Sequence, residues 1–138
     1  MMDFKKHIGE KSELYQFDFD QTRWDLFCKV MGLDPSQVKN SSEIPTAITT
    51  CRWGEFDMIE SFGGHMKNVL HAEQEYVFKG EFRAGETLEY ETFLKDVVER
   101  TSKGYKMSFL VFETPISTKR SGEIAIARSN LVYREKVE

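Results

Sequence analysis

The chain has 138 residues, of which 40% are hydrophobic and 13% aromatic, and it carries a formal net charge of −4 at pH 7. This aromatic content excludes a disordered chain, and the length predicts one domain over residues 1–138. Charges of both signs are interspersed, which excludes the basic surface of a nucleic-acid-binding protein and the polybasic run that binds anionic membranes.

The first residues of the chain are mostly polar. Residues 1–13 predict an irregular lead-in, and they lack the apolar segment of a signal peptide. No apolar run approaches the roughly 20 residues that span a bilayer, so no membrane association is expected. Cys28 and Cys51 lie in separate segments without a C-x-x-C spacing. We therefore expect a cytoplasmic protein with two reduced thiols.

Residues 14–20 predict a short strand with one aromatic face, because every second position is aromatic: Tyr15, Phe17 and Phe19. Asp20 can then cap a helix that Gly32 is placed to end. Apolar residues follow at helical spacing between them, at Trp24, Phe27, Cys28 and Met31. Residues 33–42 predict a loop, with a turn or the start of a short helical turn at Asp34-Pro35. Ser41 or Ser42 can cap the segment that follows.

Residues 44–62 form the most ambiguous segment. Its first part is small, apolar and β-branched, as in a strand, whereas aromatic and aliphatic residues recur later at helical spacing, at Phe56, Ile59 and Phe62. Pro45 is tolerated in the first turn of a helix, and small side chains allow close packing. We therefore predict a buried helix that ends before Gly63-Gly64.

Four later segments have the two-residue alternation of strands, at 73–78, 87–98, 105–113 and 123–133. The first two are predicted to form a hairpin around Gly85, which begins an antiparallel meander. In the second, one face is predicted to pack, with Leu88, Tyr90, Thr92 and Leu94. The third is apolar on both faces, since Leu110 and Phe112 oppose Met107 and Phe109, so both of its faces should be covered.

Three short motifs carry a resemblance to a known family. They are HAEQ at 71–74, RAGETL at 83–88 and ARS at 127–129. With these, residues from about 14 to 135 resemble the MaoC-like hot-dog dehydratases, in the branch that matches the N-terminal half of double hot-dog hydratases and fatty-acid-synthase-type dehydratases. The resemblance implies an α+β single hot-dog fold, in which a curved antiparallel sheet wraps around a central helix, here residues 44–62. A lone protomer would leave a sheet edge exposed, so at least a dimer is expected.

The resemblance also implies an activity in fatty acid metabolism, hydration or dehydration of (R)-3-hydroxyacyl and trans-2-enoyl thioesters of coenzyme A or acyl carrier protein. This chemistry needs a group that deprotonates water and donors for the thioester oxygen. Catalytic members of the family carry an Asp followed five positions later by a His. The three histidines here, His7, His65 and His71, have no Asp five positions upstream. We therefore expect a substrate-channel subunit, active as a heterodimer with a catalytic MaoC-like chain, or a homodimer.

By the same resemblance, the residues expected to bind substrate are Thr46, His71, Gln74 and Arg83. His71 is the one candidate for catalysis, although a lone His at the start of a strand commonly has a structural role. Glu73 and Gln74 are expected to form hydrogen bonds at a strand edge or interface, and Arg83 could contact a phosphate of coenzyme A. Separated histidines predict no metal site, and no cofactor is expected beyond the carrier of the thioester.

Two other functions remain open. A hot-dog thioesterase places a carboxylate near its central helix to activate water, and Glu55, Asp57 or Glu60 could supply it, although acidic residues on the exposed side of a helix are common. The third possibility is a non-catalytic homodimer that binds acyl-CoA.

Overall fold

The computed structural model describes residues 1–137, which form two α-helices and one six-stranded antiparallel sheet. The helices are α1 (Gln21–Val30) and α2 (Trp53–Ser61). The strands are β1 (Tyr15–Asp18), β2 (Val69–Phe78), β3 (Thr87–Tyr90), β4 (Phe93–Ser102), β5 (Tyr105–Thr118) and β6 (Gly122–Lys136). Five of the strands follow the order β1-β3-β5-β6-β2 along the sheet, and β4 pairs with β5 off this path.

One face of the sheet packs against α2. Leu110 and Phe112 of β5 are fully buried with Met58 and Ile59 of α2, and their neighbours in the same cluster are Leu94, Val97, Leu131 and Tyr133. A second cluster, around Phe19, Trp24 and Phe82, fills the end of the sheet covered by α1. This architecture confirms the predicted α+β hot-dog fold. It also confirms the buried face predicted from Leu88 to Leu94.

The hairpin predicted between residues 73–78 and 87–98 is wrong. β2 pairs with β6, from Val69 opposite Tyr133 to Phe78 opposite Ala125, whereas β3 pairs with β1 and β5. The connection between β2 and β3 carries Phe82, which is buried against Phe19 and Trp24. Burial of this side chain draws the connection away from a tight turn. Gly85 does have the positive φ, 89°, expected of it.

The predicted strand over 87–98 is divided into β3 and β4 at Glu91 and Thr92. At the break the lead-in replaces a neighbouring strand: the Thr92 N–H donates to Ser12 Oγ over 2.9 Å, and the Ser12 N–H donates to the Thr92 carbonyl over 2.8 Å. The Thr92 and Thr114 hydroxyls hydrogen-bond over 2.7 Å beneath this point. These local polar contacts stabilise a break that alternation alone does not predict.

The helix predicted over 44–62 is two separate pieces. Pro45–Thr50 is a 3₁₀ helix, and α2 begins only at Trp53. The Thr49 and Thr50 hydroxyls donate to carbonyls three residues earlier, over 2.7 and 3.0 Å, which favours the tighter turn. The cap predicted at Ser41 or Ser42 is wrong, because the residue before Pro45–Thr50 is Ile44, which makes no side-chain cap hydrogen bond. Ser41 and Ser42 belong instead to a separate 3₁₀ turn, Ser41–Glu43, which Asn40 caps by accepting from the Ser42 N–H.

The cap and the length of α1 are confirmed. The Asp20 carboxylate accepts from the Arg23 N–H over 2.8 Å, and the helix ends before Gly32. The lead-in is more ordered than predicted, because Lys5–His7 form a 3₁₀ turn and Phe4 is fully buried, with its ring 4.9 Å from that of Tyr133. No helix among residues 1–137 is long and apolar enough to span a membrane.

Candidate functional site

The buried side chain of Glu55 lies at the centre of the candidate site. It is in the first turn of α2, is 1% exposed and faces β6. The helix lies this close to its neighbours because residue 54 is a glycine: a Cβ there would lie 2.3 Å from Thr92 Oγ1. A carboxyl group without solvent needs hydrogen-bond partners. Glu55 has two, the Ser129 hydroxyl and the Arg52 guanidinium.

A chain of polar contacts leads from Glu55 to the sheet edge. Ser129 on β6 contacts Glu55 Oε1, and the same Ser129 Oγ lies 2.8 Å from Gln74 Oε1 on β2. Gln74 Nε2 donates to the Arg128 carbonyl over 3.1 Å, and His71 Nε2 lies 3.2 Å from Gln74 Oε1. We call Arg52, Glu55, Ser129, Gln74 and His71 the polar chain. It runs from a buried carboxyl to an exposed imidazole.

An apolar cavity of about 390 Å³ opens beside the first turn of α2. We call it the aromatic pocket; its lining residues are Phe17, Thr49, Thr50, Arg52, Trp53 and Phe56. Trp53 is 61% exposed, which is unusual for a large aromatic side chain in a folded protein. Arg52 belongs to both the pocket and the polar chain, because it donates to Glu55 over 3.2 Å while its guanidinium lies 5.8 Å from the Phe56 ring centroid.

Three side chains near the start of α2 have raised pKa values: Cys51, Tyr76 and Tyr90. Burial raises the pKa of the Cys51 thiol to about 12, and it also raises the pKa of Tyr90 to about 12. Burial raises the pKa of Tyr76, with the Arg52 charge opposing this rise and Glu55 adding to it. The thiol and both phenols therefore stay uncharged at neutral pH.

The residues expected to bind substrate are only partly brought together. His71 and Gln74 are in contact within the polar chain. Thr46 is exposed on the 3₁₀ segment, where its carbonyl accepts from the hydroxyl of Thr49, a lining residue of the aromatic pocket. Arg83 is exposed on the turn before β3, where its N–H donates to Glu86. Glu73 is exposed on the edge strand and has no side-chain hydrogen bond among residues 1–137.

The carboxylates considered for a thioesterase occupy different environments. Asp57 and Glu60 are on the exposed side of α2, and Asp57 accepts a hydrogen bond from Tyr15. Glu55 is not on the exposed side, because the helix turns it toward Ser129. The sequence analysis also missed Arg52 as a functional residue. An Arg three positions before a Glu at a helix start was the available signal, since such spacing places the two on one face. No group of three His, Cys, Asp or Glu side chains that could hold a metal occurs among the described residues.

Comparison with known proteins gives a family match and a set of similar folds. The family model described as the FAS1-like dehydratase domain region matches residues 40–127. This range contains Glu55, Gln74 and the whole aromatic pocket except Phe17. A search of curated proteins gave no match.

Three solved structures illustrate the likeness in fold. The C-terminally truncated HadBC (3R-hydroxyacyl-ACP dehydratase) complex of Mycobacterium tuberculosis is 15% identical, with a TM-score of 0.67 over 91% of this chain and 96% of that chain. The MaoC-like dehydratase of Rhodospirillum rubrum is 14% identical, with a TM-score of 0.65 over 94% of each chain. The ChsH1-ChsH2 complex of Mycobacterium tuberculosis is 14% identical, with a TM-score of 0.61 over 98% of this chain and 89% of that chain.

Proposed function

The chain belongs to the FAS1-like dehydratase region family, within the MaoC-like hot-dog dehydratases, and from this premise we propose that it is the substrate-channel subunit of an acyl-thioester hydratase/dehydratase. The reaction interconverts (R)-3-hydroxyacyl and trans-2-enoyl thioesters. The carrier of the thioester is coenzyme A or acyl carrier protein. The observation that carries this proposal is the aromatic pocket at the start of the central helix.

The pocket suits the acyl part of such a substrate. Its walls are mostly apolar, and ligand pockets typically combine apolar walls with a few placed polar groups. Trp53 and Phe56 would contact the acyl chain, and burial of Trp53 by a ligand would remove a large apolar side chain from water. Thr46, next to the pocket along the 3₁₀ segment, would contact the substrate at the pocket rim.

The start of α2 suits the thioester oxygen. The helix has no side-chain cap at Arg52. The Trp53 N–H of its first turn is directed at the Tyr90 hydroxyl, and the N–H groups that follow it have no side-chain acceptor among residues 1–137. Such N–H groups, with the helix dipole, stabilise negative charge. A thioester oxygen gains negative charge as the enolate forms, and donors placed there lower the barrier. Arg52 would add its own positive charge.

The catalytic pair is proposed to come from a second chain. This sequence has no Asp followed five positions later by a His. β2 lies at one end of the strand order, so one of its edges has unpaired N–H and C=O groups that another chain can complete. His71 and Gln74 lie on this strand and would face substrate near the seam, while Arg83 would contact a phosphate of the carrier. The similar HadBC and ChsH1-ChsH2 structures are both complexes, which supports this arrangement.

Hydration of crotonyl-CoA and of a longer enoyl-CoA, followed as the loss of enoyl absorbance, tests the proposal. The assay compares this chain alone with a complex co-expressed and co-purified with a candidate MaoC-like chain that has the Asp and His. We expect activity only in the complex. Hydration by this chain alone would overturn the subunit role, and an inactive complex would overturn the hydratase.

Glu55 favours a thioesterase as the second candidate. It is the one carboxylate of α2 buried beside the pocket, where a general base would activate water against the thioester carbonyl. Both of its oxygens are engaged, however, by Ser129 and Arg52. Release of free thiol from acyl-CoA, abolished by Glu55→Gln, would support this function over the hydratase. If neither assay gives turnover and acyl-CoA still binds, the chain is a non-catalytic binding protein.

A further inference from the structure

The Ser129 hydroxyl has one proton but lies within hydrogen-bond distance of two acceptor oxygens. Its oxygen contacts Glu55 Oε1 and lies 2.8 Å from Gln74 Oε1. A serine hydroxyl has a single proton to donate, while a carboxylate and an amide carbonyl only accept. One of the two contacts therefore needs a proton from the other side, either from Glu55 or from the Gln74 amide.

The Gln74 amide has a preferred orientation. Its Nε2 donates to the Arg128 carbonyl over 3.1 Å, so its Oε1 faces both Ser129 and His71. In this first arrangement the proton between Glu55 and Ser129 is on Glu55, Ser129 donates to Gln74, and His71 donates from Nε2. All four groups are then satisfied.

A second arrangement satisfies an ionised Glu55. Ser129 then donates to the Glu55 carboxylate, and the Gln74 amide turns over so that Nε2 donates to Ser129. The turned amide offers His71 an N–H instead of a carbonyl, so the Nε2 of His71 must accept and its proton must be on Nδ1. Turning the amide also brings the Gln74 carbonyl oxygen toward the Arg128 carbonyl oxygen. Repulsion between these two oxygens disfavours the second arrangement.

We propose that Glu55 is a positioning residue that determines the tautomer of His71 at the edge of β2. The presence or absence of a proton on Glu55 acts through Ser129 and the orientation of the Gln74 amide. The consequence for substrate rests on the proposed function, in which His71 is a substrate contact. In the first arrangement His71 directs Nδ1, an acceptor, outward. In the second it directs an N–H outward, which can donate to a carbonyl oxygen of the substrate.

The titratable and charged groups around Glu55 come from several elements. Arg52 pairs with Glu55 from the start of α2, and Ser129 faces it from β6. Tyr76 of β2 lies within electrostatic range of Arg52, Glu55 and Cys51. The guanidinium of the neighbouring Arg128 is turned to Glu75 and Glu113. Among residues 1–137, Gln74 is the one side chain hydrogen-bonded to His71.

The ¹⁵N chemical shifts of the imidazoles, measured on the folded chain above the pH at which the histidines lose their charge, report the tautomer directly. Glu55→Gln places an amide donor against Ser129 and is expected to hold the first arrangement, which favours the Nε2–H form of His71. Ser129→Ala breaks the link, so Glu55→Gln is expected to change the His71 tautomer ratio in the otherwise intact chain and to leave it unchanged in the Ser129→Ala background. The free energy of one partly exposed hydrogen bond predicts a change of about threefold between the wild type and Glu55→Gln.

Glu60→Gln, an exposed residue of the same helix, is the matched control and should leave His71 at its wild-type ratio. If Ser129→Ala does not fold, Gln74→Leu serves as the background instead, because it removes the same link at the half-buried edge. Equal His71 tautomer ratios in the wild type and in Glu55→Gln, or the same change in the link-breaking background, would overturn the coupling. Because this measurement needs no substrate, its result is independent of the hydration assay.

Discussion

Glu55 on α2 and Ser129 on β6 are in hydrogen-bond contact across the interface between the helix and the sheet, although 74 positions separate them in the sequence. The two residues are 1% and 2% exposed, respectively. A buried polar contact of this kind fixes the helix in one position, because a shift against the sheet would leave the buried Oε1 atom of Glu55 without a partner.

Ser129→Ala should therefore destabilise the fold. It removes one of the two partners of Glu55, and a buried polar group left without a partner costs about 1–3 kcal/mol. Urea denaturation measures the free energy of unfolding. Ser102→Ala, at an exposed position of β4, is the matched control and should change it by less than about 0.5 kcal/mol. Equal effects of the two substitutions would show that the contact does not stabilise the protein.

Gly54→Ala should also be destabilising, although alanine is normally the better helix former. The new Cβ would lie 2.3 Å from Thr92 Oγ1 and 2.7 Å from Thr92 Cβ, so α2 would have to move. We expect a loss of about 1–3 kcal/mol in the free energy of unfolding. The control is Gly80→Ala, where the nearest atom would be 3.3 Å away. A more stable Gly54→Ala protein would mean that the helix does not pack this closely.

Phe4 should contribute to the core although it precedes the first strand. Its ring is fully buried against Tyr133 and Phe62. Phe4→Ala is expected to lower the free energy of unfolding by about 3–5 kcal/mol. The control is Ile8→Ala, since Ile8 is 44% exposed in the same segment. If both substitutions are neutral, the lead-in does not belong to the core.

The thiol of Cys51 should make stability depend on alkaline pH. Burial raises its pKa to about 12 in the folded chain, whereas the pKa of a cysteine in an unfolded chain is about 8.5. The folded state therefore holds the proton more tightly, so this contribution is complete below about pH 8.5 and is lost as pH rises toward 12. Urea denaturation from pH 8 to pH 11 should show a shallower decline for Cys51→Ala than for the wild type. Parallel declines would contradict the burial of the thiol.

The strands could be predicted from the sequence, whereas the order of the strands could not. Alternation of apolar residues is a local property, and it located β3, β5 and β6. The partner of β2 depends on Phe82, because its burial against Phe19 and Trp24 carries the chain away from a hairpin. Such a contact joins segments far apart in sequence, and no local pattern reports it.

The site could be predicted only in outline. The motif at 71–74 led to His71 and Gln74, which do lie in contact. Their link to Glu55 passes through Ser129, and it exists only because β2 and α2 both pack on β6. Similarly, the aromatic pocket combines Phe17 of β1 with residues at the start of α2, and this meeting requires the folded chain.

The measurement that tests the central claim most directly is the KM of the active complex for a short and a long enoyl-CoA, with Phe56→Ala in this chain. Leu26→Ala, at a 62% exposed position of α1, serves as the control. If this chain binds the acyl group, Phe56→Ala should raise the KM for the long substrate by about tenfold or more, as expected for the loss of a buried aromatic contact, and leave crotonyl-CoA nearly unchanged. An active complex in which Phe56→Ala and Leu26→Ala both leave the KM for the long substrate unaltered would contradict the substrate-channel role of this chain.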